Sequence, residues 1–184
     1  MKRITLLARL ALIVSSVLAL GAAPTAQARP AETTTAGQPA AAPHMTAEQV
    51  LDEWAARWSS SQEVDKLLDL FTDDVIYEDA ALGVVNHGKA ELREFAMNFF
   101  SSTPDVKLEL ASRFVAGNLG SMEWIMTGTD TGDTPARPAT GNSFSVRGAT
   151  IVELEGGKIK RNTDYWDTAT YLKQLGLLPS GEGD

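Results

Sequence analysis

Cysteine is absent from all 184 residues, so neither a disulfide framework nor a lipid-modified N-terminal cysteine is available, and stability must come from packing. Histidine is nearly absent: there are two, and only His87 falls within what reads below as the folded domain. With one domain histidine and no cysteine, a histidine-based metal site is not expected, and neither is a cofactor. Asp73 and Asp74 could be pictured as oxygen ligands, but read better as a solvated turn. Basic clusters are missing too. Sixteen Lys and Arg against 24 Asp and Glu give a formal charge of −8, which argues against nucleic acid or an anionic membrane surface as partner. The longest apolar run, "LALIVSSVLALGAA", has 14 residues, short of the roughly 20 needed to span a bilayer.

That run is nevertheless informative. Lys2, Arg3 and Arg9 precede it, and "AQA" follows it at residues 26–28. This is the charged region, apolar region and small-residue cleavage site of a secretory signal peptide. Residues 1–28 are therefore expected to direct export to a periplasm or the medium. Cleavage is expected before Arg29 with no stable membrane insertion afterwards, although an uncleaved anchor stays open. Removing the three basic residues takes the chain to −11. Residues 29–44, "RPAETTTAGQPAAAPH", hold no large apolar side chain and read as a flexible linker. Residues 45–178 read as one domain, and 179–184 as a disordered tail.

The domain opens with Thr46, Ala47, Glu48 and Gln49, a capping-box pattern, followed by Val50, Leu51, Trp54 and Trp58 at helical spacing. A second short helix is expected over residues 62–71. "DDVIYEDAALG" then alternates as a strand, with Val75, Tyr77 and Asp79 on one face. "KAELREFAMNFFSS" returns to helical spacing through Leu92, Phe95, Ala96, Phe99 and Phe100, and Pro104 stops it. Thereafter the period is two. "DVKLELASRFVAG", "GSMEWIMTGTD", "NSFSVRGATIVELEGG" and "KIKRNTDYWD" are strand-like, separated by "GNLG", a Pro/Gly-rich loop and "EGGK". Helices followed by a long antiparallel meander predict an α+β domain whose curved sheet wraps around the N-terminal helices.

The order and spacing of "YEDAALG", "HGKAELREF", "EWIMTGTDTGD", "PATGNSFSVRGATIVELEGGKI" and "DYWDTATYLKQLG" resemble the SnoaL-like polyketide cyclases of the nuclear transport factor 2-like superfamily. The resemblance covers residues 45–176. It implies a cone-shaped fold with a pocket between the concave sheet face and the helices. In the cyclases a pocket aspartate is thought to move protons during an intramolecular aldol ring closure. Related epoxide hydrolases use a Tyr-x-Asn pair, an Arg-x-Asp pair and a final aspartate. Here the first strand offers Tyr77, Glu78 and Asp79, but Trp124 and Met126 stand where the Arg-x-Asp pair would be. The resemblance therefore disfavours epoxide hydrolysis.

On the last strand, alternation separates Asn162, Asp164 and Trp166 from Arg161, Thr163, Tyr165 and Asp167. The resemblance points the first set inward and makes Asp164 the expected acid/base residue, desolvated beside Trp124 and Trp166. The same position also suits a buried structural acceptor, or a partner for Arg161 or Arg147. Asp167 reads as the cap of a terminal helix. Tyr77 and Asp79 could orient a carbonyl or enol, or be a core phenol and a turn former. His87, at the entry to the third helix, reads either as a general base or as a rim contact. Glu123 is expected to face away from the inward set and pair with an arginine. Trp54, Trp58, Phe95, Phe99, Trp124, Met126 and Trp166 would form a wall for a small hydrophobic molecule, or simply core. Three functions stay open: cofactor-free acid/base chemistry on a carbonyl compound, non-catalytic carriage of a hydrophobic ligand, or a protein-interaction domain that uses its open sheet face to dimerise or hold a partner. A homodimer through that face is compatible with the first two as well.

Overall fold

The computed structural model describes residues 45–60, 63–134 and 137–178. The expected signal peptide, linker and tail lie outside them. Helix α1, Ala47–Trp58, starts where the capping box predicts: Gln49 N donates to Thr46 Oγ1 (3.3 Å) and Thr46 N to Gln49 Oε1 (2.8 Å). Its buried stripe is Val50, Leu51, Trp54, Ala55 and Trp58.

Helix α2, Val64–Leu68, ends earlier than its periodicity predicts, because Phe71 instead opens strand β1, Phe71–Asp79, where it pairs with Ile159 and is fully buried. Tertiary pairing thus overrides a local pattern that suits helix equally well. Strand β2, Val84–His87, folds back on β1 and is an element the sequence pattern did not predict. Helix α3, Gly88–Ser102, buries Leu92, Ala96 and Phe100 and leaves Phe95 and Phe99 half-buried at its edge.

Strands β3 (Lys107–Ala116), β4 (Leu119–Thr129), β5 (Ser143–Glu155) and β6 (Lys158–Trp166) form the expected antiparallel meander. The six strands lie in the order β2-β1-β6-β5-β4-β3. After α3 the chain starts at the far edge and works back, so β6 arrives beside β1 running parallel to it. That one parallel pair is the departure from an all-antiparallel expectation. Register breaks in β1, between Leu110 and Ser112, and between Glu153 and Leu154 bend the sheet around α1 and α3. Val75, Tyr77, Met122, Trp124, Val146, Val152 and Ile159 face the helices as core.

Helix α4, Thr168–Gln174, is capped by Asp167, which accepts from Thr170 N (2.9 Å) and Thr170 Oγ1 (2.6 Å), as its sequence position predicts. The loop between β4 and β5 is tied down by Asp130, which is fully buried. Its carboxylate accepts from Arg137 Nη1 (2.7 Å), Arg137 Nη2 (3.2 Å), Thr140 N and Thr140 Oγ1 (both 2.8 Å). Burial pushes the Asp130 carboxyl up, but the Arg137 guanidinium and Thr140 outweigh it and hold the group below its ordinary value. Its stabilisation is therefore complete above the unfolded-state pKa of about 3.9 and is lost as pH falls below that. Asp130→Ala should cost about 3 kcal/mol at pH 7, the lower range for breaking a buried pair because Arg137 retains some solvent. Denaturant unfolding would measure it; a loss under 1 kcal/mol would contradict this account of the loop.

Candidate functional site

The concave face gathers three neighbouring strands at one point. Asp79 on β1 is in register with Asp164 on β6, and Asp164 with Thr150 on β5. One row along, Tyr77 is in register with Asn162. Period-two alternation therefore delivers these side chains to the same side of the sheet.

Asp164 is buried and fully engaged. Thr150 Oγ1 (2.7 Å) and Asn162 Nδ2 (2.8 Å) donate to its Oδ1, and the Tyr77 hydroxyl donates to its Oδ2. Among the described residues no cation bridges it: Arg161 turns to Glu78 at 3.4 Å. Burial is the largest influence on its carboxyl; the three donors partly offset this and the Asp79 charge adds to it, leaving a pKa of about 6. Tyr77 is held well above the usual phenol range, first by burial and then by the Asp164 charge, so it stays a neutral donor.

Asp79 has its own supports. Trp166 Nε1 lies 3.1 Å from each carboxylate oxygen, and Leu82 N donates to Oδ1 at 2.9 Å. Burial raises its carboxyl despite these donors.

Both carboxylates open on a cavity of about 290 Å³. It is lined by Trp54 and Trp58 of α1, Phe95 and Phe99 of α3, and Leu108, Trp124, Met126 and Trp166 of the sheet. Of the residues singled out in the sequence, Tyr77, Asp79, Asp164, Trp54, Phe99, Trp124, Met126 and Trp166 are thus brought together. Asn162 stands behind Asp164 rather than in the lining, fully buried, with its Oδ1 unpartnered among the described residues. His87 is elsewhere. It pairs with Ile76, one residue out of phase with Tyr77, so alternation turns it away from the pocket; it is exposed at the start of α3. Glu123 accepts from Ser112 (2.7 Å) rather than from an arginine. Asp73 and Asp74 are exposed and pair with Lys89 and Lys160.

Thr150 and Tyr171 were not singled out by the sequence. Thr150 shares the inward phase of Val152 and Gly148 on β5, a signal visible only once the β5–β6 register is known. Tyr171 reaches the pocket from α4 and meets the Trp166 ring edge-on, with centroids 5.3 Å apart. Tyr171 with Leu82, Asn98, Ser102 and Thr134 complete the described lining, and none of the described lining residues is Lys, Arg or His.

The arrangement fits three comparisons. Residues 37–175 match the family model of the SnoaL-like polyketide cyclases. A curated relative, Cyclase aurE of Calcarisporium arbuscula, is 25% identical over 115 residues, covering 62% of this chain and 82% of the relative. Among solved structures, a Catenulispora acidiphila protein of ketosteroid isomerase-like fold, in complex with trimethylamine, superposes with a TM-score of 0.63. It is 25% identical, with 72% of this chain and 96% of that one covered. A Jannaschia protein assigned as a SnoaL-like polyketide cyclase gives a TM-score of 0.64 at 15% identity, covering 72% and 92%, and supports the fold alone.

A raised carboxyl has a thermodynamic signature. Between the unfolded value of about 3.9 and the folded value of about 6, the native state holds a proton on Asp164 that the unfolded chain lacks. Native stability from this group therefore rises as pH falls from 7 to 4.5. Relative to Asp164→Asn, the wild type should gain about 2 kcal/mol over that interval. Parallel unfolding curves with no change in the difference would contradict the burial argument.

Proposed function

The chain belongs to the SnoaL-like polyketide cyclase family, within the nuclear transport factor 2-like superfamily, and from that premise we propose that it performs cofactor-free acid/base chemistry on a small, mostly apolar carbonyl compound. The observation that carries this reading is Asp164: a buried carboxylate held by three donors, with no cation partner among the described residues, beside an apolar cavity. A base with a pKa of about 6 is largely ionised at pH 7 yet basic enough to take and return a proton.

In this reaction Asp164 removes the proton from the carbon next to the carbonyl, and the electron pair moves onto the oxygen as an enolate. The Tyr77 hydroxyl, a neutral donor beside Oδ2, donates a hydrogen bond to that oxygen as Asp164 loses its charge on taking the proton. In ring closure the enolate carbon attacks a second carbonyl of the same molecule; one C–C bond forms and Asp164 returns its proton to the new alkoxide. In an isomerisation the proton returns to a different carbon. His87 takes no part. A volume of about 290 Å³ favours compact compounds of one or two rings, since ligand cavities usually run from roughly 300 Å³ upward.

A second reading is a carrier of a hydrophobic small molecule. It is favoured by the leader-like residues 1–28, because polyketide ring closure normally belongs beside cytoplasmic synthases. A homodimer through the outer sheet face, where Phe114, Ile151 and Tyr165 are exposed, suits both readings and would be refuted by a purely monomeric sedimentation profile.

The readings separate on a simple substrate. With 2-tetralone in D2O, the wild type should accelerate deuterium incorporation next to the carbonyl, and Asp164→Asn should lose about 10²–10⁴-fold of that acceleration while still binding the ketone. Equal exchange rates in the two proteins would overturn the enzyme reading and leave the carrier.

A further inference from the structure

The chain has four tryptophans, and their indole N–H groups divide into two kinds. Those of Trp54 and Trp58 are buried with no hydrogen-bond partner among the described residues, so these rings act as apolar wall. Those of Trp124 and Trp166 are aimed at the carboxylates: Trp166 directly at Asp79, and Trp124 at Thr150 Oγ1 (2.8 Å), which donates onward to Asp164 Oδ1 (2.7 Å).

The second chain has a fixed direction. A threonine hydroxyl carries one hydrogen, and an indole N–H can only donate. With Trp124 supplying the hydrogen on one side, the Thr150 hydrogen is committed to Asp164. Without Trp124 Nε1, the hydroxyl is free to rotate toward a backbone carbonyl instead. The seat of Trp124 depends in turn on Gly148, its register partner on β5. A Cβ at position 148 would overlap ring carbons of Trp124, so only glycine lets the indole lie against β5 and reach Thr150, two residues further along that strand.

We propose that Thr150 is a positioning residue for Asp164, and that Trp124, seated on Gly148, acts through it by fixing the direction of its hydroxyl. The pocket wall and the acid/base group are thereby one unit: a ring that lines the cavity also determines which lone pairs of Asp164 are occupied. With Oδ1 taken by Thr150 and Asn162, Oδ2 is the atom left to exchange a proton with a ligand, beside the Tyr77 hydroxyl.

The other groups facing Asp164 do not replace this link. From β1 come Tyr77, a donor, and Asp79, whose negative charge works the opposite way. From β6 comes Asn162; α1 and α3 present only aromatic and neutral polar side chains to the cavity, and α4 presents Tyr171. Thr150 is the only hydroxyl of β5 in this set, and it is wholly buried.

The inference rests on the acid/base reading for its effect on rate, but its test needs no turnover. In the whole chain labelled at the aspartate side-chain carboxyl carbons, the Asp164 resonance is assigned by its loss in Asp164→Asn and followed against pH by NMR. Thr150→Val should raise its midpoint by about one unit, a tenfold gain in proton affinity, because a donor to the ionised form is gone. Thr150→Ser should restore the wild-type midpoint. Trp124→Phe and Gly148→Ala should each raise it by about half a unit, roughly threefold. Trp124→Phe keeps the ring and so tests the link even if Gly148→Ala does not fold. A midpoint unmoved by Thr150→Val would overturn the role of Thr150; one moved by Thr150→Val but not by Trp124→Phe would overturn the relay. If these shifts are seen while Asp164→Asn retains full 2-tetralone exchange, the relay stands and the acid/base reading falls.

Discussion

Much of this molecule is arranged around the difficulty of keeping a carboxylate out of water. Asp164 sits on the inner face of β6 with almost no solvent, and an isolated charge there would be prohibitively costly. Three donors from three different strands offset that cost without cancelling it. Had an arginine done the same work, the group would be locked as a permanent anion. Hydroxyls and an amide leave it able to change protonation state near neutrality, as the proposed acid/base role requires.

The fold supplies those donors by register. Tyr77, Thr150 and Asn162 are distant in sequence, and they converge because β1 and β5 flank β6 on opposite sides. The parallel pairing of β1 with β6, the one departure from an antiparallel meander, is what brings Tyr77 and Asp79 to the aspartate. The same sheet curves over α1, whose Trp54 and Trp58 make the opposing wall. Packing and chemistry therefore share residues: the Trp58 and Tyr77 rings, with centroids 5.7 Å apart, belong to the core on one side and the cavity on the other.

How much of this could be read beforehand follows from which interactions are local. The capping box of α1, the Asp167 cap of α4 and the alternation on β1 and β6 depend on neighbours a few residues away, and all were legible. Resemblance supplied the inward direction of Asn162, Asp164 and Trp166. Strand β2 and the early end of α2 were not legible, because each is fixed by pairing with a remote strand that outweighs short-range preference. His87 showed the same limit: its position at a helix entry was clear, but its face depended on a hairpin the sequence did not announce. Thr150 was missed for want of register. A threonine in an alternating strand carries no mark of function until its partner across the sheet is known.

The central claim is that this cavity holds a compound with a proton Asp164 can remove. It is tested most directly by native mass spectrometry of the protein purified from its own host, with any co-purified small molecule released and identified. The account predicts a compact, largely apolar compound bearing an acidic C–H beside a carbonyl. A saturated lipid or another ligand with no such hydrogen would contradict it and make Asp164 a structural residue of a carrier.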